Sequence, residues 1–323
     1  MLAGAPCRAD LAGGTLDIWP LGLLHPGAVT VSAAIPVHVT VEVDLAAPND
    51  EVWHAVGDGE WRRLDRTQLD LTDVVCRAVR RDGGVRVRSL GQPPVGSGLG
   101  GSSAYGVAVA RAIAELDGRE LDDEALVAVV RDLEARVLGV PTGTQDHWAA
   151  VRGGVLALHQ EPGCPRLEPL TVDPAWLSAR LTVCFTGITH HSGMVNWHVI
   201  RRRLDGDRAT TAAMQRIAEA ATECRRALLA AEDGAVADAI ADEWRARRRL
   251  APEVAPDDLL QLIDALASAG ATAVKACGAG GGGSVAVWHP PDRRDDVEAA
   301  LAEAAPGGSV LARGITTQGL RVE

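Results

Sequence analysis

Aromatic residues, lysine and paired cysteines are all scarce in this sequence. Tyr105 and Phe185 are the single tyrosine and phenylalanine among 323 residues, and tryptophan occurs eight times. The core must therefore rest on alanine, valine and leucine, which an apolar content of 47% allows. Lys275 is the only lysine, so arginine carries nearly all the positive charge. The six cysteines form no CxxC pair, which argues against a zinc or disulfide framework and favours a reducing cytoplasm.

Charge and hydropathy exclude several classes of partner. A net charge of −11 argues against nucleic acid and anionic membranes, so we expect small-molecule partners; a homodimer is allowed. The N-terminus has no charged region followed by a long apolar run, so we expect no signal peptide and a cytoplasmic location. Since no uncharged apolar stretch reaches about 18 residues, we expect no membrane span.

The length of the chain and its punctuation predict two domains. Pro162-Gly163-Cys164-Pro165 and Asp173-Pro174 interrupt the chain near its middle, so we place the domains at 1–172 and 173–323. Alternating apolar residues predict two strands, over 29–35 and 37–43. The sequence also predicts helices over 122–138, 209–231, 235–250 and 257–269.

The most informative stretch runs from Pro93 to Ala104 and holds four glycines between positions 96 and 101. A predicted strand precedes it and a predicted helix follows, so its amide groups would open a helix that favours an anion such as phosphate. Ser102 and Ser103 could cap this helix, and one hydroxyl could bind a metal ion. The spacing Gly96-x-Gly98-x-x-Gly101 also matches a dinucleotide fingerprint, but no second strand ending in an acid follows. A plain glycine-rich turn remains an alternative.

Acidic and basic residues cluster around an early Gly13-Gly14 turn. Arg8, Asp10 and Asp17 flank it, and a carboxylate there could accept hydrogen bonds from two neighbouring hydroxyls. An ordinary polar turn is the alternative.

Two further carboxylates follow the glycine-rich stretch. Glu134 lies at the inward edge of a helix face, where a charge must be paired or bound to a metal; the alternatives are a snorkelling edge residue and a partner for Arg131 or Arg136. Asp146 opens a short helix and could be a general base, or simply an N-cap.

The second half of the chain holds two candidate segments. His190, His191 and Ser192 lead into a stretch that ends in three arginines, 201–203, which could hold a phosphate or form a solvated helix face. The glycine run 278–283 suggests backbone passing close to a ligand. Trp53 and Trp61 could form an adenine pocket, although we favour a role in covering a sheet edge.

Three glycine-bearing motifs, in this order, resemble the GHMP kinase superfamily. They are Arg8-x-Asp10-Leu11-Ala12-Gly13-Gly14-x-x-Asp17, then Pro93–Ala104, then Lys275-x-x-Gly278-Ala279-Gly280-Gly281-Gly282-Gly283. The resemblance covers essentially the whole chain. The first motif and Gly143-x-Gln145-Asp146 look like the sugar-kinase branch, particularly heptose-phosphate kinases and fucokinases.

The resemblance implies an α+β fold, with an N-terminal domain like ribosomal protein S5 domain 2 and a ferredoxin-like C-terminal domain. It implies ATP and Mg²⁺ as cofactors. By motif position Ser103 and Glu134 would hold Mg²⁺ (with Ser102 an open alternative to Ser103), and Asp146 would take the hydroxyl proton. The nucleotide-binding residues would be Pro94, Gly96, Gly98, Leu99, Gly100, Gly101, Ser102 and Ser103. The candidate substrate-binding residues are Arg8, Asp10, Gly13, Gly14, Asp17, Gln145, His190, His191, Ser192, Gly280 and Gly281.

The function implied is an ATP-dependent sugar kinase acting on the anomeric 1-hydroxyl of a heptose 7-phosphate or octose 8-phosphate. Alternatives are a kinase for an unphosphorylated sugar resembling fucose or galactose, and a non-catalytic sensor of sugar and ATP with the same fold. The dinucleotide spacing adds an NAD-dependent oxidoreductase as a further alternative.

Overall fold

The computed structural model describes residues 1–80, 82–188 and 192–323, with the backbone alone for 192–195. The strands are β1 (Leu2–Ala12), β2 (Val29–Ala47), β3 (Val52–Val56), β4 (Arg62–Arg63), β5 (Gly84–Gly91), β6 (Val155–His159), β7 (Arg166–Pro169), β8 (Leu181–Phe185), β9 (Ala273–Ala276), β10 (Ser284–Trp288), β11 (Ser309–Arg313) and β12 (Arg321–Val322). The helices are α1 (Leu71–Val79), α2 (Gly101–Leu116), α3 (Asp123–Leu138), α4 (Gln145–Arg152), α5 (Pro174–Ser178), α6 (Ser192–Leu204), α7 (Arg208–Leu229), α8 (Asp233–Arg247), α9 (Asp257–Ser268) and α10 (Arg294–Ala304).

The first sheet has eight strands in the order β12-β1-β2-β5-β3-β4, with β6 on β2 and β7 on β6. Only β3 and β5 pair in parallel in the described part of this sheet. The two strands predicted over 29–43 are one strand, β2. Its pairing with β1 shifts where Pro6 faces His38 and Cys7 faces Ile35, so the predicted break is a bulge around Pro36 and not an end.

The second sheet has four antiparallel strands in the order β11-β8-β10-β9. The predicted α+β class is therefore confirmed: helices pack on two largely antiparallel sheets. The change from one sheet to the other, between β7 and β8, lies near the predicted boundary at 173. One strand departs from that division, because β12 returns to the first sheet and pairs with β1 at Ala3–Val322.

Strand β1 carries charged side chains into the interior. Since side chains alternate along a strand, Cys7, Ala9 and Leu11 share one face, and Arg8 and Asp10 share the other. All five residues are buried.

Helix α2 is the central helix of the first half, contacting β1, β2 and the helices α1, α3 and α4. Small residues allow this close packing: a Cβ on Gly106 would lie 2.6 Å from Cγ1 of Val130. Because α2 is buried from Ser103 to Ala114 except at Arg111, the glycine-rich loop at its N-terminus is held in a fixed place.

The two tryptophans of the adenine-pocket alternative cover a sheet edge. The Arg88 guanidinium stacks 4.5 Å above the Trp61 ring, and Trp53 Nε1 donates to Glu51 at 3.1 Å. Among the described helices, none combines the length and the apolar composition that a bilayer crossing requires.

Candidate active site

A cleft of about 510 Å³ lies where the glycine-rich loop, the early turn and the start of α4 meet. All eight predicted nucleotide-binding residues line it, from Pro94 to Ser103. Arg8, Asp17, Glu134, Gln145 and Asp146 line it as well. The structure thus brings together residues that are up to 138 positions apart in the chain.

The glycine-rich loop connects β5 to the first turn of α2 through left-handed backbone. Gly100 is the N-cap of α2 at φ +73°, and a Cβ there would lie 2.9 Å from Asp146 Cβ. Gly98 is left-handed too, and its Cβ would lie 2.9 Å from the Cys277 carbonyl oxygen. These glycines let the loop pass close to its neighbours, and the free amides of the α2 N-terminus face the cleft.

The carboxylate of Glu134 is buried and lies next to three polar side chains. Ser103 Oγ donates to its Oε2 at 2.8 Å, Ser102 Oγ donates to Oε1, and His147 Nε2 lies 3.2 Å from Oε2. Burial alone would raise the pKa of Glu134, but the neighbouring His147 and the hydrogen bonds from both serines bring the pKa below its usual value. The carboxylate is therefore ionised and oriented toward both serines.

The alternatives of an edge residue or a partner of Arg131 or Arg136 are wrong: Glu134 is 3% exposed, Arg131 pairs with Asp132 at 2.7 Å, and neither arginine pairs with Glu134 among the described residues. Both candidate serines contact Glu134, so the structure leaves the metal ligand open between Ser102, which is exposed, and Ser103, which is 2% exposed.

Asp146 forms an ion pair with Arg8, whose Nε lies 2.6 Å from Asp146 Oδ1. Arg8 Nη1 also donates to the Gly98 carbonyl at 2.6 Å, which ties this pair to the glycine-rich loop. Burial alone would lower the pKa of Arg8, but Asp146 and Asp10 raise it, so Arg8 stays charged. The N-cap alternative for Asp146 is wrong, because Thr144 holds that position.

Asp17 anchors the start of α4. Its Oδ2 accepts hydrogen bonds from the backbone N–H groups of Thr144 at 2.9 Å and Gln145 at 3.0 Å. Burial raises the pKa of Asp17 to about 6, although the Gln145 amide opposes the shift. Asp17 therefore links the early turn to the helix that carries Asp146.

Asp10 does not line the cleft. Asp10 is fully buried, and its Oδ1 lies 3.2 Å from Lys275 Nζ. The predicted role of Asp10 in binding the substrate is therefore wrong, because its carboxylate faces the interior and not the cleft. Gly13 and Gly14 also lie outside the cleft lining. A Cβ on Gly13 would lie 2.2 Å from the Val29 carbonyl oxygen, so packing explains this glycine.

The second glycine run reaches the cleft through Gly278 and Ala279, and not through Gly280 and Gly281 as predicted. Gly281 N donates to the Val254 carbonyl at 2.8 Å, and this contact turns that part of the run away from the cleft. The prediction of backbone close to a ligand therefore applies only to the start of the run.

The candidate phosphate-binding segment is placed only in part. His190 and His191, and the side chain of Ser192, lie outside the described residues. Arg202 donates to the Leu250 carbonyl, and Arg203 Nε bonds to His25, so neither arginine lines the cleft.

Sequence reasoning missed the end of the cleft next to α1. His54, Asp70, Thr72 and Tyr105 line it, and Thr72 Oγ1 lies 2.9 Å from the Tyr105 hydroxyl. A capping pattern at Asp70 marks the start of α1, but nothing in the local sequence indicates that α1 faces the glycine-rich loop.

Two family models match the chain: "GHMP kinases N terminal domain" over residues 69–154 and "GHMP kinases C terminal" over residues 225–307. The first contains the glycine-rich loop, Glu134 and Asp146. The chain belongs to the GHMP kinase superfamily. It is an ATP-dependent phosphotransferase with the GHMP kinase fold, and the dinucleotide interpretation of Gly96-x-Gly98-x-x-Gly101 is wrong.

The curated relatives of this GHMP kinase are named as kinases for different acceptors. A bifunctional fucokinase/GDP-fucose pyrophosphorylase of Arabidopsis thaliana is 26% identical over 86% of the chain, which spans only 29% of that longer protein. A D-glycero-alpha-D-manno-heptose 7-phosphate kinase of Campylobacter jejuni is 28% identical over 92% of the chain and 91% of its own length. A mevalonate kinase of Thermococcus sibiricus is 26% identical over the whole chain and 98% of its own length.

Solved structures share the fold along nearly the whole GHMP kinase chain. A D-glycero-D-manno-heptose 1-phosphate kinase from Bacteriodes thetaiotaomicron superposes with a TM-score of 0.76 at 21% identity, covering 99% of this chain and 97% of its own. Lactococcus lactis galactokinase with galactose has a TM-score of 0.79 at 16% identity, covering 99% and 94%. At these identities the likeness shows the fold alone.

Proposed function

We propose that this GHMP kinase transfers the γ-phosphoryl group of ATP to the anomeric 1-hydroxyl of a heptose 7-phosphate or octose 8-phosphate. The observation that carries the proposal is the Arg8–Asp146 ion pair at 2.6 Å, placed beside the glycine-rich loop in the cleft that Glu134 also lines. We further propose a cytoplasmic location and the two domains 1–172 and 173–323.

Asp146 is placed to act as the general base. Its side chain is 24% exposed, and only its Oδ1 accepts a hydrogen bond among the described contacts, which leaves Oδ2 for an acceptor hydroxyl. The ion pair with Arg8 keeps the carboxylate oriented. The hydroxyl proton moves to Asp146 as the hydroxyl oxygen bonds to phosphorus and ADP leaves.

The chain's own groups fit ATP and Mg²⁺. The left-handed glycines of the loop and the free amides of α2 form an anion-binding cradle that suits a triphosphate. The donors beside it are two serine hydroxyls and one ionised carboxylate, the hard oxygen ligands that Mg²⁺ prefers. We assign Glu134 and either Ser102 or Ser103 to the metal, which would neutralise charge on the transferred phosphoryl group.

Two observations support a long-chain sugar phosphate. The Campylobacter jejuni relative named as a heptose 7-phosphate kinase aligns over 92% of the chain and 91% of its own length. In the sequence, His190 and His191 come just before α6, which begins at Ser192, and Asn196 of that helix lines the cleft.

One observation favours a second candidate, a kinase for an unphosphorylated sugar. Among the described residues, Arg8 is the single arginine or lysine that lines the cleft, and Asp146 and Gly98 already engage it. A terminal phosphate would need another cation. The fucokinase relative fits this candidate as well.

An ADP-release assay over C6 to C8 sugars, each with and without its terminal phosphate, tests both candidates. We expect the highest kcat/KM for a heptose 7-phosphate or octose 8-phosphate. Much faster turnover of free fucose or galactose would establish the second candidate, and ATP and sugar binding without ADP release would establish a sensor.

The base assignment has its own test. Asp146→Asn should lower kcat by at least about 100-fold, because no group remains to accept the proton, while ATP binding by calorimetry stays near wild type. Near-normal turnover would remove Asp146 from this role. Asp132→Asn, on the exposed side of α3, is the matched control.

A further inference from the structure

Beneath the cleft, four charged side chains form a closed buried cluster. Asp10 comes from β1, Glu243 and Arg247 from α8, and Lys275 from β9, and each is at most 1% exposed. Lys275 Nζ lies 3.2 Å from Asp10 Oδ1 and 3.1 Å from Glu243 Oε2. Arg247 Nη2 lies 2.5 Å from Glu243 Oε1 and 3.8 Å from Asp10 Oδ2. Two acids and two bases leave the cluster electrically neutral.

Stability alone is a weak reason for such a cluster. Removing four charges from water is costly, and apolar residues of similar volume often give equal or greater stability. The cluster also contains the only lysine of the chain. A role in placing neighbouring groups is therefore the better explanation, and its outward contacts show which groups these are.

Arg247 is the member that reaches out of the cluster, toward the early turn. Its Nη2 donates to the Gly14 carbonyl at 2.8 Å, and its Nη1 donates to Thr15 Oγ1 at 3.1 Å. Thr15 lines the cleft and has φ +74°, a left-handed conformation that costs free energy for a β-branched residue and persists only when its surroundings hold it.

The cluster also explains the glycine beside Thr15. A Cβ on Gly14 would lie 2.3 Å from Asp10 Oδ2 and 3.0 Å from Arg247 Nη2, so the turn rests directly on the charged groups. Asp17 follows two residues after Thr15 and binds the amides that open α4. Within the described chain, the four charged groups make no hydrogen bond or ion pair to residues 94–103.

We propose that Arg247 is a positioning residue for the acceptor. From the second half of the chain it fixes the segment 13–17, which we call the acceptor loop, so that Thr15 and Asp17 meet the sugar in one arrangement. This inference rests on the proposed function only in taking 13–17 as acceptor-binding. It separates the two substrates: loss of the Arg247 contacts disturbs acceptor binding and leaves the nucleotide site intact.

Arg247→Lys keeps the charge but replaces the planar guanidinium, whose separate nitrogens reach Gly14, Thr15 and Glu243, by one ammonium on a shorter side chain that does not reproduce this geometry. The acceptor KM should rise about ten-fold or more, with the ATP KM within about two-fold of wild type. Arg180→Lys is the matched control, because Arg180 also joins an acid, Asp233 at 3.0 Å, to a backbone carbonyl, and neither Arg180 nor Asp233 lines the cleft. It should change neither KM.

Thr15→Val keeps the cluster whole and the side-chain shape similar, so it tests the inference even if Arg247→Lys fails to fold. It should raise the acceptor KM, and Thr15→Ser, which retains the oxygen, should recover most of the loss. The acceptor KM of the Arg247→Lys, Thr15→Val double variant should be close to that of Arg247→Lys alone, because both substitutions remove the same Arg247–Thr15 hydrogen bond. Multiplying effects, or an unchanged acceptor KM in either single variant, would overturn the inference.

Hydrogen exchange gives a readout that needs no sugar. In Arg247→Lys or Thr15→Val, amides of residues 13–18 should exchange faster, while those of 94–103 should not. Unchanged exchange in 13–18 refutes the positioning role even if no sugar proves to be a substrate. A wild-type enzyme that phosphorylates no sugar, with faster exchange in the variants, refutes only the proposed function.

Discussion

The carboxyl group of Asp17 should make the stability of the protein depend on pH in an unusual direction. Burial raises its pKa from 3.8 to about 6 in the folded state. Between these values the folded chain binds the proton and the unfolded chain does not, so the free energy of unfolding falls as the pH rises. A shift of about two pKa units corresponds to about 3 kcal/mol.

Asp17→Asn removes this titration but keeps an oxygen that can accept from the Thr144 and Gln145 amides. We expect the stability difference, wild type minus variant, to fall by about 2 kcal/mol from pH 4 to pH 6, out of about 3 kcal/mol in all, and to level off above about pH 7. Urea unfolding at half-unit steps between pH 4 and pH 8 measures it. Asp122→Asn is the control, since this exposed carboxylate also accepts a backbone N–H, from Ala125.

A stability difference that stays constant from pH 4 to pH 8 would refute the reasoning. It would mean that the amides of Thr144 and Gln145 compensate fully for the burial of Asp17. A kinetic measurement adds a second check. If ionised Asp17 accepts hydrogen bonds from the acceptor, the acceptor KM should fall as the pH rises through about 6, and Asp17→Asn should remove this dependence.

Three further predictions concern the groups around the glycine-rich loop. Glu134→Gln should raise the Mg²⁺ concentration for half-maximal activity about ten-fold or more, because the anionic ligand is lost. Glu124→Gln, on the exposed first turn of α3, is the control and should not change this concentration. Equal Mg²⁺ requirements in the two variants would exclude Glu134 as a ligand. His147→Asn should weaken Mg²⁺ binding by about 10- to 100-fold in a calorimetric titration with ATP, since His147 orients Glu134; unaltered binding would limit His147 to packing. Gly100→Ala should lower the free energy of unfolding by more than about 1 kcal/mol and raise the ATP KM. Gly118 is also left-handed but has open space around it, so Gly118→Ala should cost only the backbone strain. Equal losses of stability in thermal unfolding would show that the contact of residue 100 with Asp146 is unimportant.

The local reading of the sequence was sound where one short stretch contains the whole signal. The strand, the glycine run and the helix around Pro93–Ala104 needed no distant partner, because left-handed glycines and free helix amides are properties of neighbouring residues. The same holds for the inward placement of Glu134, which follows from helical spacing. Strand β2 was misread as two strands because a bulge and a break look alike in sequence when the partner strand is unknown.

The roles of the charged residues depended on partners far away in the chain. Asp10 was grouped with Arg8 and Asp17 as an acceptor residue, but Lys275 and Arg247 draw it into the interior. Nothing near position 10 indicates this, because both partners lie more than 200 residues away and their helix and strand meet β1 only after folding. The contacts of Arg202 and Arg203 with Leu250 and His25 are likewise set by how α6 packs.

The sequence by itself determined the class of this protein: its glycine motifs, in their order, and the carboxylates that follow them indicate a GHMP kinase. These are local patterns, and backbone conformation and helix periodicity are written in short stretches of chain. Only the tertiary structure decided which group each carboxylate contacts. Whether Asp10, Asp17, Glu134 and Asp146 meet solvent, an amide, a hydroxyl or a buried cation depends on elements that pack together from both halves of the chain.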